Sequence, residues 1–176
     1  MGRLKIFLTN LGKYNEGCLM GEWVKLPVPE DKLEAVKHRI GINERYEEYF
    51  ITDYESSFSN LRISEYASIS ELNQFAEKVE ELSDYDYEKL SAVLEMEGSL
   101  SIAEIIELID ELDNFDLLPD VHDDEALGEY YADCGCIFAN VPDHIQRYFD
   151  YEAYGRDIRL ESSCCITSYG LVMDNR

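Results

Sequence analysis

Between Lys89 and Arg147 lie 57 residues without a lysine or arginine, and 15 of them are Asp or Glu. Elements built from this stretch have no opposite charges of their own to draw them together. Like charges at i,i+4 on a helix cost roughly 0.2–0.5 kcal/mol each. Whatever fold the stretch adopts must therefore rest on apolar burial. The pattern supplies it: "SIAEIIELIDEL" sets Ile102, Ile105, Ile106, Ile109 and Leu112 on one helical stripe. Glu104, Glu107 and Glu111 fall on the opposite face, with Asp110 beside them.

The other 119 residues hold 23 acids and all 15 bases, a net of −8, against −23 for the whole chain of 176. With 45% apolar residues, 13 tyrosines and seven phenylalanines, the chain has material for packed cores and is not a disordered acidic tail. The charge disfavours direct binding of nucleic acid, whose phosphates it would repel, and favours a basic partner. No run approaches the roughly 20 apolar residues of a membrane span. The start, "MGRLKIFLTNLG", has too short an apolar run for a signal peptide. These features predict a cytoplasmic chain in which Cys18, Cys134, Cys136, Cys164 and Cys165 are reduced.

The order of elements predicts an α+β fold. "LKIFLTN", "EWVKLPV" and "EEYFITDYE" read as strands, and "EDKLEAVKHRIG" as a helix with acids leading, bases trailing and Gly41 at its end. Ser68 with Glu71, and Ser101 with Glu104, form capping-box patterns before helices. "YEKLSAVLEME" adds another helix. "NFDLLPD" reads as a short strand, "DDEALGEYYADCG" as a helix, and "VPDHIQRYFDY" as a helix with Pro142 at N1. "GRDIRLES" and "CCITSYGLVM" read as a closing hairpin. The chain thus divides into a three-stranded sheet with one helix (1–66), a central acidic helical bundle (67–112) and a C-terminal α+β unit (113–176).

Enzymatic and metal readings find little support. "DYDYEKLSAVLE" places Asp84, Asp86, Glu88 and Glu95 at calcium-loop positions, but Lys89 stands where the sharp turn needs glycine. "CGC" and "CC" lack the C-x₂₋₄-C spacing of a tetrahedral zinc site. The three histidines come with no nucleophile motif, phosphate loop or dinucleotide fingerprint. No catalytic residue, cofactor or metal is expected.

The cation-free window instead suggests imitation. Duplex DNA carries one charge per ~1.7 Å of axis. Carboxylates three or four residues apart on a helix advance roughly 4.5–6 Å, so several acidic elements side by side could approach that density. The residues proposed for such a surface are Glu95, Glu97, Glu104, Glu107, Asp110, Glu111, Asp113, Asp116, Asp120, Asp123, Asp124, Glu125, Glu129 and Asp133. The alternative is an acidic scaffold, or a mimic aimed at another basic DNA-binding protein.

Four segments resemble the hallmark strings of the ArdA antirestriction family: "IFLTNLGKYNEGCLMGEW", "ERYEEYFITDYE", "EYASISELN" and "VPDHIQRYFDYEAYGRDIRLE". They run in order from Ile6 to Glu161. The resemblance implies a mimic of DNA that fills the DNA-binding groove of type I restriction–modification enzymes, at the methyltransferase core with its specificity subunit. It implies block of restriction and of modification, and carriage on mobile genetic elements. It also implies an elongated three-part homodimer joined through the C-terminal part, here placed near Tyr130, Tyr131 and Phe138.

Overall fold

The computed structural model describes residues 4–176. Among them are eight α-helices and two antiparallel three-stranded sheets, an α+β architecture. The chain divides into two compact units: the first runs to Ser83 and takes in Ser99–Asp110, and the second holds Asp84–Gly98 and Glu111–Arg176.

In the first unit, strands β1 (Leu4–Asn10), β2 (Gly21–Leu26) and β3 (Tyr49–Ser56) form a sheet in the order β2-β1-β3. Alternation along β1 and β2 buries Leu4, Ile6, Leu8, Val24 and Leu26, as a sheet with one covered face requires. The stretch after β1 begins with a short helix α1 (Leu11–Asn15), because the Asn10 side chain accepts from the Lys13 amide and caps it. Helix α2 (Glu30–Arg39) buries Leu33 and Val36.

Two of the hallmark strings meet here. The Tyr46 ring occupies the space that a β-carbon on Gly12 would need. Its hydroxyl donates to Glu16 (2.9 and 3.0 Å) and accepts from Lys13 Nζ (3.1 Å). The glycine of "LGKYNEG" is thus a steric requirement of the tyrosine in "ERYEEYF".

Helices α3 (Ile69–Glu81) and α5 (Ile102–Asp110) complete this unit. Helix α3 buries Leu72, Phe75 and Val79, and α5 buries Ile102, Ile105, Ile106 and Leu108. Each such side chain contributes about 1.5–3 kcal/mol by leaving water. Both predicted caps form. Ser68 Oγ accepts from the Glu71 amide at 3.4 Å, and Ser101 and Glu104 bond reciprocally at 3.3 and 2.8 Å. Helix α5 stops at Asp110, and Leu112 opens a separate 3₁₀ turn (Leu112–Asn114) that belongs to the second unit.

Helix α4 (Asp84–Glu97) belongs to the second unit, so the middle helices are shared between the two units. Its sequence explains why. Six consecutive residues, Lys89 to Leu94, are buried, leaving no single wet face such as a helix on the rim of a bundle would have. Asp84, Asp86, Glu88 and Glu95 lie along this helix, not around a cation loop.

Strands β4 (Phe115–Leu118), β5 (Cys164–Thr167) and β6 (Gly170–Asp174) form the second sheet in the order β4-β6-β5. Helices α6 (Asp124–Cys134) and α8 (Tyr151–Glu161) pack on each other, and α7 (Asp143–Gln146) is a single turn whose N-cap, not N1, is Pro142. "GRDIRLE", read as the first strand of a hairpin, lies inside α8; the hairpin is β5–β6. Two forces favour the helix over the strand. Asp150 caps α8 through the Ala153 amide (2.9 Å). Gly155 then lets α8 approach α6 so closely that a β-carbon there would fall on the Asp124 carbonyl, while one on Gly128 would fall on that of Tyr151.

Candidate functional site

The acidic residues proposed for recognition lie on both units, and all except Glu97 and Asp124 are well exposed. They differ in what holds them, and three groups result.

The first group is neutralised. Arg159 grips Asp124 through two hydrogen bonds (2.6 and 2.9 Å), tying α8 to the start of α6. Arg176 bonds Glu97 (2.5 Å) and Asp174 (2.9 Å), with its guanidinium over the Phe115 ring. Lys78 pairs with Asp110 across α3 and α5. The Arg159 contact holds the Asp124 carboxyl below the usual carboxylate range, and Arg176 does the same to Asp174.

The second group is fixed by neutral donors. Glu95 accepts from the Ser168 amide (3.0 Å) and hydroxyl (2.6 Å). Glu104 accepts from the Ser101 hydroxyl (2.7 Å) and amide (2.8 Å), which also lowers its pKa. Asp116 accepts from Asn175 (2.9 Å), and Asp123 caps α6 through the Ala126 amide (2.8 Å). These side chains keep their charge while losing their mobility.

The third group consists of Glu107, Glu111, Asp113, Asp120, Glu125, Glu129 and Asp133. Among the described residues they have no ion pair or side-chain hydrogen bond, and all are exposed.

Lys89, the base that opens the cation-free window, does not show on the surface. It is 6% exposed, its Nζ donates to the Phe115 carbonyl (3.0 Å), and it lies near the Tyr85 ring. The sequence records the charge but not its burial.

The residues suggested for a subunit contact also separate. Tyr131 is half-buried against the core of Val121, Leu127 and Leu171, its hydroxyl at 3.3 Å from Met173 Sδ, and burial raises its pKa. Tyr130 is exposed, and its hydrogen bond with Cys134 raises its pKa. Phe138 stacks edge-on against Phe149 at 5.0 Å. Sequence reasoning missed the residues around it: Ile137, Val141, Ile145 and Tyr148 line a cleft of about 380 Å³ with Phe138 and Phe149. Tyr148 is 79% exposed. Ile137, Val141, Ile145 and Tyr148 do fall at helical spacing, but Pro142 interrupts the segment and α7 is a single turn, so no continuous helix face announced the cluster. All five cysteines are free thiols.

Fold and site together define an acidic α+β protein whose charged groups are spread over surfaces instead of converging in a cleft. Comparison with known families makes that class specific. The chain belongs to the ArdA antirestriction protein family: the family profile, described as Antirestriction protein (ArdA), matches residues 6–173. Comparison with curated proteins returns no match. No helix among the described residues is long and apolar enough to cross a membrane.

Proposed function

We propose that this chain inhibits type I restriction–modification enzymes by presenting carboxylates where DNA would present phosphates. It occupies the DNA-binding groove of the methyltransferase core with its specificity subunit, and so blocks both restriction and modification in the cytoplasm. The observation that carries this reading is the charge balance of the second unit. Its sequence holds 20 acids against five bases, and four of those bases, Lys89, Arg156, Arg159 and Arg176, are buried or within ion-pair distance of a carboxylate. A groove that releases counterions on binding DNA gains the same entropy from such a surface. The reading needs no catalysis, cofactor or contact with nucleic acid.

The protein acts as a homodimer in this reading. The cleft around Ile137, Ile145 and Tyr148 supplies an apolar surface for a second copy, in the region where the contact near Tyr130 and Phe138 was expected.

Titration against a purified type I methyltransferase, with and without a duplex carrying its site, tests the proposal. Duplex DNA displaces the inhibitor, and affinity falls steeply as salt rises from about 0.1 to 0.5 M. Binding that persists against saturating duplex indicates an acidic scaffold instead. Binding indifferent to salt rejects electrostatic mimicry.

A further inference from the structure

The first unit carries a feature of opposite character. Among the described residues, strand β2 is an edge strand, paired on one side only, by β1. Beside it lies a groove of about 400 Å³ whose lips are Trp23 and Lys25 of β2 and Lys32, Ala35 and Arg39 of α2. Residues 32, 35 and 39 share one helix face, which brings them together along the groove. Pro27 and Pro29 stand at one end. At the other, Arg39 grips Glu22 with Nε–Oε2 2.8 Å and Nη2–Oε1 2.7 Å.

Charge distinguishes this groove from its surroundings. Lys5, Lys13, Lys37, Arg39, Arg45 and Lys78 of the same unit all sit within ion-pair distance of a carboxylate. Lys25 and Lys32, like Arg62 outside the groove, are exposed and make no ion pair among the described residues. Two uncompensated cations thus flank one aromatic ring, 41% exposed, on a free strand edge.

We propose that the β2–α2 groove binds an extended acidic segment of a partner protein, added as a further strand along β2. Backbone hydrogen bonds to the strand edge give affinity, and the period of two gives selectivity. Carboxylates on one side of the segment meet Lys25 and Lys32, and an apolar side chain between them rests on Trp23 and Ala35. The six residues of β2 span about 20 Å, enough for a segment of five or six residues. Nucleic acid could satisfy the lysines and stack on the tryptophan. It has no peptide groups to match the strand edge, and that separates the two. This site uses the other unit and the other sign of charge, so its failure leaves the proposed inhibition untouched.

Trp23 is the only tryptophan, so its fluorescence reports the groove in the full-length chain. The probe is a capped heptapeptide of alternating glutamate and valine. Saturable change in Trp23 emission is expected, weakening about tenfold between 0.05 and 0.5 M salt. A lysine–valine peptide leaves the emission unchanged. Joint replacement Lys25→Glu and Lys32→Glu, with circular dichroism confirming the fold, weakens binding by about tenfold or more; the milder pair Lys25→Gln and Lys32→Gln gives a smaller loss in the same direction. No saturable response at millimolar peptide overturns the proposal and leaves the lysines as guards against edge pairing. An equal response in the charge-reversed variant also overturns it. So does displacement of the peptide by a short single-stranded oligonucleotide that binds more tightly.

Discussion

The two units solve the problem of charge differently. The first, 95 residues in sequence, holds 18 acids and 10 bases, and many of its ion pairs lie on the surface, as between Lys5 and Glu55 or Lys37 and Glu34. Exposed pairs of this kind add little stability. The second, 81 residues with 20 acids and five bases, places three of its cations at joints between elements. Arg159 joins α8 to α6, Arg176 joins β6 to α4, and Lys89 joins α4 to β4. Three of the five cations thus serve to join elements, and the exposed carboxylates far outnumber the exposed Arg147 and Arg156. What holds the second unit is apolar burial and close helix packing, as the cation-free window requires.

If that contrast is right, the largest effect on the second unit comes from steric change, not from charge. Gly155→Val drives a branched side chain into the Asp124 carbonyl, and a loss of about 3 kcal/mol or more is expected. Segment-resolved hydrogen exchange should show protection lost in α6 and α8 well before β1–β3; loss spread evenly over the chain would break the comparison. In the first unit, Ile106→Asp buries an unpaired charge and should cost a similar few kcal/mol, read as lost protection in α3 and α5.

Neutralisation comes next in size. Joint replacement of Glu111, Asp113, Asp120, Glu125, Glu129 and Asp133 by their amides should weaken inhibition of a type I methyltransferase about fifty-fold, with the fold retained; each change alone costs less than about threefold. The same treatment of Glu22, Glu34 and Glu55, which already have cationic partners, should change inhibition less than twofold or so. Equal losses from both sets would erase the distinction between the units. A single amide that abolished inhibition would point to a discrete active residue.

The smallest effect is on acid stability. The folded pKa of Asp124 is depressed, so its contribution is complete above the unfolded value of about 4 and is lost as pH falls through the lower folded value. Melting temperature should therefore decline below about pH 4, and Asp124→Asn should flatten that decline while lowering stability at neutral pH. A steeper acid limb in the variant would reverse the assigned role of Arg159.

Local signals made much of the fold legible in the sequence. Strand β1 spans Leu4–Asn10 as its β-branched and aromatic residues predicted, and Ser101 with Glu104 formed the box that their spacing announced. What was not legible depended on distant partners. Residues 155–162 read as a strand, yet Tyr151, Tyr154 and Ile158 also fit a helix, and the Asp150 cap together with the approach to Gly128 favours it. The stripe through Leu112 has a helical period, but α5 ends two residues earlier, because Glu111 turns the chain toward β4. At the candidate site, exposure followed from amphipathicity. The sorting of carboxylates did not, since Ser168 is 73 residues from Glu95 and Arg176 is 79 from Glu97.

Glu95, Glu104, Asp116 and Asp123, each tied by uncharged donors, have a consequence for recognition that charge alone does not convey. Phosphates in a duplex are held in place by a stiff backbone, whereas a free glutamate must be frozen on docking, at an entropic cost of about 0.5–1.5 kcal/mol per side chain. These tied residues have given up their rotamers during folding. In the proposed mimicry, each of them offers a locally fixed charge to a groove shaped for DNA, while the untethered carboxylates adapt to it. Releasing one tether, by Ser168→Ala for example, should leave net charge unchanged and lengthen no ion pair. It should nonetheless shorten the lifetime of a complex, turning preorganised charge back into disordered charge.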